Sequence, residues 1–175
     1  NMKQEIAAIS VLVNLVLAFV LVKFVIYPGI GLILGTQFPI VAVVSGSMEH
    51  NGLDFDSWWN ENKDWYEERD ISKEEFIEFK HKNGFNKGDI MFLKGVEPKD
   101  IKVGDVLVYE TPFHSNPIIH RVVVIGDGEY ITKGDNNHRG DTPVVAEQFQ
   151  RTGKAVLRLP LFGWVKIWFV DMFVR

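Results

Sequence analysis

Cysteine is absent from all 175 residues, which excludes disulfides, thiolate metal sites and thiol nucleophiles. An excess of positive charge is absent too. With 19 Lys and Arg against 23 Asp and Glu, the formal net charge is −4, so the chain lacks the basic footprint of a nucleic-acid binder and nucleic acid is not an expected partner. No His-Glu-x-x-His pair and no calcium-loop spacing occurs, and no metal ion or organic cofactor is expected. Lys and Arg are missing altogether between Lys23 and Lys63. That gap is easier to accept if the chain beyond the N-terminal segment faces away from the cytoplasm.

What is plentiful is apolar chain. Ile6 to Tyr27 is apolar apart from Ser10, Asn14 and Lys23, and as a helix it reaches about 33 Å, enough to cross a bilayer. Lys23 near one end can extend its stem toward the headgroups. The run exceeds a usual signal-peptide core and no small-x-small cleavage site follows, so a retained anchor is expected, ending near Tyr27 and Pro28. This divides the chain into an anchor over 1–28, a catalytic part over 29–158 and an apolar C-terminal segment over 159–175. In that last segment Leu161, Phe162, Val165, Trp168, Phe169, Met172 and Phe173 recur at helical spacing, predicting an amphipathic helix lying on or in the membrane.

Between these ends the pattern is mainly β. Phe38 to Val44, Asp89 to Lys94, Gly104 to Glu110, Ile118 to Ile125 and Glu129 to Lys133 are short β-rich runs separated by Gly, Pro and Asn turns; Val144 to Phe149 and Gly153 to Leu159 add two more. An antiparallel β domain is expected. Residues 49–88 interrupt it. From Glu49 to Asp89 there are 12 acidic and 6 basic residues together with Trp58, Trp59, Trp65 and Tyr66. Ser72-Lys73-Glu74-Glu75 reads as a capping box, and an Asp54 to Asp56 start opens an earlier helix, so a charged helical insertion is predicted.

Three short segments carry possible chemistry. Ser45-Gly46-Ser47-Met48 follows the first strand-like run. Glycine before Ser47 permits close backbone approach, and the Ser47 N–H with the Ser45 hydroxyl can face a developing oxyanion, making Ser45, Gly46, Ser47 and Met48 candidate substrate-binding positions. A serine hydroxyl needs a base. His120 lies in an alternating run, on one strand face with Ile118, Val122 and Val124 while Arg121 points the other way. An imidazole can take the serine proton and return it to a leaving amine. Asp135 and Asp141, in the segment Thr132 to Asp141, are both candidates to hold the other ring nitrogen. Lys133 and Lys94 are the alternative amine bases.

Taken in order, these segments resemble type I signal peptidases of the archaeal and endoplasmic-reticulum branch. Ser45-Gly46-Ser47-Met48 is similar to that family's nucleophile box, Ile119-His120-Arg121-Val122-Val123 to its base box, and Lys133-Gly134-Asp135-Asn136-Asn137 with Asp141 to its acid box. Lys87-Gly88-Asp89-Ile90 and Val103-Gly104-Asp105-Val106 match the strand-turn elements between; residues 49–85 match nothing in it. Histidine at position 120, where bacterial relatives carry lysine, marks the branch. The resemblance implies a membrane-bound serine endopeptidase without cofactors, in which Ser47, His120 and Asp135 or Asp141 cleave signal peptides after small residues at the −1 and −3 positions. It also implies preproteins, the bilayer and either the Sec translocon or accessory subunits as partners. The catalytic part would lie on the extracytoplasmic face, or in the reticulum lumen. A tethered, non-catalytic β module and a Ser-Lys autoprotease are the rival readings.

Overall fold

The computed structural model of the protein describes residues 2–112, 114, 116–149 and 152–163. The expected C-terminal helix falls almost wholly outside them. Helical backbone runs from α1 (Met2–Leu21) through a π turn at Val22–Ile26 into α2 (Tyr27–Leu34). None of α1 is buried, and the 33-residue stretch is long and apolar enough to span a membrane. The helix therefore continues seven residues beyond the expected stop at Tyr27. Pro28 does not break it because the wide π turn, with the Tyr27 N–H donating to the Val22 carbonyl, relieves the clash a proline ring makes with the preceding helical turn. Gly35 ends the helix in the left-handed conformation at φ 65°, a termination glycine adopts without penalty.

Among the described residues seven strands form one antiparallel sheet in the order β1-β2-β7-β3-β4-β5-β6: β1 (Ile40–Ala42), β2 (Ile90–Lys94), β3 (Val106–Tyr109), β4 (Ile118–Gly126), β5 (Glu129–Lys133), β6 (Val144–Val145) and β7 (Gly153–Leu159). The fold is mainly β, as the strand pattern predicts. Strand alternation fills two apolar layers, because successive side chains point to opposite faces. Val106, Val108 and Ile119 join Val43, Met48, Phe85 and Met91 in one, while Leu107, Tyr109 and Val122 join Tyr130 and Phe149 in the other. The anchor is tied to this body by the Gly95 N–H donating to the Leu34 carbonyl at 2.8 Å and the Thr36 hydroxyl donating to the Thr152 carbonyl at 2.6 Å.

The insertion folds as α3 (Phe55–Glu67), capped by the Asp54 carboxylate accepting from the Ser57 N–H, and α4 (Lys73–Glu78), capped by the Ser72 hydroxyl accepting from the Glu75 N–H. The acidic residues of α3 and α4 face solvent. Trp58, Trp59, Tyr66 and Phe76 turn inward and pack with Val123 of β4, so the insertion is a third layer of core fused to the sheet.

Candidate active site

The two faces of β4 sort the candidate residues. His120 pairs with Leu107, and Arg121 pairs with Lys133 on the neighbouring strand. His120, Tyr109 and Thr132 consequently share one face, while Arg121 and Lys133 share the other.

On the first face His120, 6% exposed, places Nδ1 2.6 Å from Asp141 Oδ2. The Thr132 hydroxyl donates to the same carboxylate oxygen at 2.8 Å. The Tyr109 hydroxyl stands 3.1 Å from that oxygen and 2.9 Å from Thr132 Oγ1. Asp141 is itself anchored, its N–H donating to the Thr132 carbonyl at 2.7 Å. Burial pushes the Asp141 carboxyl up, but the hydrogen bond and charge of His120, with the two hydroxyls, outweigh it and hold the group below its ordinary value. A carboxylate so fixed directs the imidazole and stabilises its protonated form.

On the opposite face Asp135 has a different set of partners. It is fully buried and receives two bonds from Arg121, Nε to Oδ1 at 2.9 Å and Nη2 to Oδ2 at 2.7 Å. His50 Nε2 lies 3.3 Å from Oδ2, and the Tyr66 hydroxyl donates weakly to Oδ1 at 3.5 Å. Burial alone would raise the Asp135 carboxyl; the Arg121 charge, then the bonds from His50 and Arg121, overcome that and bring it to about 2. Because this folded-state value lies below the ordinary 3.8, the ionised carboxylate favours the fold. Its contribution is complete above about pH 5 and is lost as pH falls toward 2. Thermal melting measured from pH 6 to pH 2 should drop most steeply below pH 4, and a flat profile would contradict this assignment.

The loop after β5 also holds the serine turn. The Asn136 N–H donates to the Ser47 carbonyl at 2.8 Å, Asn136 Nδ2 donates to the Gly46 carbonyl at 3.0 Å, and the Asp135 N–H points at Met48 Sδ at 3.3 Å. Met48 is buried in the core, a support for the turn with no place on the groove wall. Ser45 Oγ and Ser47 Oγ are 3.3 Å apart. Contact between loop and turn is tight at Gly134, where an added Cβ would come within 2.6 Å of the Ser47 carbonyl oxygen and 2.8 Å of Asn137 Nδ2. Gly134→Ala should displace the serine turn, destabilise the fold by about 1–3 kcal/mol and reduce turnover at least tenfold. Unchanged turnover would show that this contact does not set the geometry.

A groove of about 590 Å³ runs beside these groups, lined by β1 and the following residues to Ser45, and by Ser47, His120, Asn137 and Asp141. It brings together Ser47, His120 and Asp141. Asp135 is not on its wall. Lys133 is buried, its Nζ donating to the Tyr66 hydroxyl at 3.2 Å and the Gly134 carbonyl at 3.1 Å; burial, partly opposed by the Asp135 charge, brings the amine down to about 8. Lys94 is exposed, lining a separate hollow beside the end of α2. The hydroxyls of Thr132 and Tyr109, the Asn136 grip and the Arg121 clamp are the residues that sequence reasoning did not single out. One signal for Arg121 was visible: a guanidinium within an apolar strand run needs a buried acidic partner.

No family profile matches the chain. Curated relatives do. The signal peptidase complex catalytic subunit SEC11 of Scheffersomyces stipitis is 30% identical across 95% of this chain and 84% of its own, and that of Fusarium vanettenii is 30% identical across 82% and 71%. The human signal peptidase complex catalytic subunit SEC11C is 28% identical across 81% of this chain, which spans 62% of that relative's length. Given that identity and coverage, the chain belongs to the family of signal peptidase complex catalytic subunits.

Proposed function

We propose that the protein is a membrane-anchored serine endopeptidase that removes N-terminal signal peptides from secreted and membrane preproteins. The observation that carries this is the 2.6 Å contact of His120 with Asp141 on the wall of the groove that also holds Ser47. In this reading the Ser47 hydroxyl loses its proton to His120 Nε2 as its oxygen attacks the scissile carbonyl. The imidazolium, held at Nδ1 by Asp141, then protonates the leaving amine. The Ser47 N–H and the Ser45 hydroxyl receive the oxyanion. Water, deprotonated by the same imidazole, releases the signal peptide from Ser47. Asp135 acts through structure, fixing the loop that grips the serine turn.

Substrate reaches the groove as an extended strand. Among the described residues β1 has β2 as its only sheet neighbour, so its other edge can accept a peptide through main-chain bonds. Ser47 follows β1 and the anchor precedes it; a peptide leaving the bilayer beside the anchor therefore runs in the same direction as β1. Small side chains at −1 and −3 fit shallow pockets against Val44 and Ala42. The anchor, whose helix continues to Leu34, holds this site over the membrane, with the catalytic part that follows it, through residue 158, on the extracytoplasmic or lumenal side. The Sec translocon or accessory subunits are the expected protein partners. The test is cleavage of a preprotein by the chain reconstituted in bilayers, with product ends mapped by mass spectrometry. One cut after a small residue is expected; an intact preprotein would contradict the proposal.

A further inference from the structure

The edge strand offers its substrate-facing bonds at alternate residues, and the anchor reaches the far end of that series. The Pro39 carbonyl accepts from the Leu93 N–H and the Val43 N–H donates to the Asp89 carbonyl, both at 2.9 Å. With the register Ile40 to Phe92, Val41 to Met91 and Ala42 to Ile90, the odd-numbered residues face β2. The main-chain groups of Ile40 and Ala42 then point to the free edge, and Val44 continues the alternation. The Ile40 carbonyl, however, already has a donor: the Tyr27 hydroxyl of α2, at 3.4 Å. Tyr27 lies on the wall of the same groove as Ser47 and His120, at its anchor end.

We infer that Tyr27 is a specificity-determining residue that weakens the far end of the substrate ladder: its hydroxyl, 3.4 Å from the Ile40 carbonyl oxygen, competes with a substrate N–H for that acceptor, so an added strand bonds fully at Val44 and Ala42 and less favourably at Ile40. The inference rests on the peptidase reading above. Residues facing the peptide recur every two positions along β1, about 6.6 Å apart, so the extended part of a substrate is held most firmly over about two such steps before the cut. Beyond Ala42 the pairing is weakened at the Ile40 carbonyl, and the peptide's apolar segment is free to turn helical beside the anchor. Tyr27 thereby couples the membrane anchor to the length of extended chain read before the scissile bond.

The phenol ring lines the groove and the hydroxyl alone makes the bond, so Tyr27→Phe removes the cap and leaves the wall. The experiment uses the full chain reconstituted in bilayers and two preproteins, identical except for two small polar residues inserted between the apolar segment and the cleavage site. Freed, the Ile40 carbonyl accepts one additional main-chain bond from the longer substrate. Tyr27→Phe should therefore raise kcat/KM for the long substrate relative to the short one about threefold to tenfold over the wild-type ratio. A third substrate, a peptide ending at the residue opposite Ala42, should be cleaved equally by both forms. An unchanged long-to-short ratio overturns the inference while leaving the peptidase reading intact. Failure of the wild type to cleave any of the three overturns both.

Discussion

Ser47→Ala and His120→Ala are each expected to lower preprotein cleavage by about 10³-fold or more while leaving the fold intact. The size follows from the chemistry. Without the hydroxyl there is no nucleophile, and without the imidazole the hydroxyl keeps its proton at neutral pH. The stability should change little for Ser47, whose side chain is half-buried and bonds the neighbouring Ser45 hydroxyl. His120→Ala leaves Asp141 with the Thr132 and Tyr109 hydroxyls, so that carboxylate does not become an unpaired buried charge. Melting within a few degrees of wild type, alongside the loss of turnover, separates a chemical role from a structural one. Near-normal cleavage by either variant would contradict the proposed mechanism.

Arg121→Ala is expected to act in the opposite way, through stability. Arg121 and Asp135 are both fully buried, and the guanidinium also donates to the carbonyls of Lys80, His81 and Gly104. It pins the insertion, the turn before β3 and the acid loop to one another. Removing one member of a buried, hydrogen-bonded pair costs about 3–5 kcal/mol because the other is left charged without a partner. That is a large share of the total stability of a domain this size. Denaturant titration of the purified variant should show it, and a loss under 1 kcal/mol would mean that water or another cation replaces the guanidinium. Arg121→Ala with Asp135→Asn should recover part of the loss, since no bare carboxylate then remains.

The difference between these two predictions was only half legible in the sequence. The strands were, because their apolar residues alternate between turn residues, and both insertion helices were marked by Asp54 and Ser72 at their starts. Ser47 and His120 stood out by residue type and context. The choice between Asp135 and Asp141 did not, since both follow the same strand within a short loop. Cross-strand register places them on different faces: Lys133 opposite Arg121 directs the loop's first turn to one face, and Thr132 with Tyr109 receives Asp141 on the other, beside His120. Register joins residues distant in sequence, and no local pattern encodes it. The continuation of the anchor to Leu34 was hidden for a related reason. Pro28 signals a break on its own, and the π turn that absorbs it has no signature in residue type.

The insertion shows the same limit from another side. Its acidity is a property of its outer surface, whereas its inner face of Trp58, Trp59, Tyr66 and Phe76 carries the Tyr66 hydroxyl to Asp135 and stacks Trp58 on His50 at 3.9 Å. The segment that matches nothing in the family's boxes thus braces the carboxylate whose loop grips Ser47.

In the proposed mechanism Ser47 and His120 act as one unit, and a double-mutant cycle on a single preprotein measures that coupling. Initial cleavage rates are measured for wild type, Ser47→Ala, His120→Ala and the double variant, all in the same bilayers. If the histidine works only through the serine, the double variant is no slower than the slower single variant. Rate losses that multiply would contradict the account, because they would mean that the two side chains contribute independently and no proton passes between them.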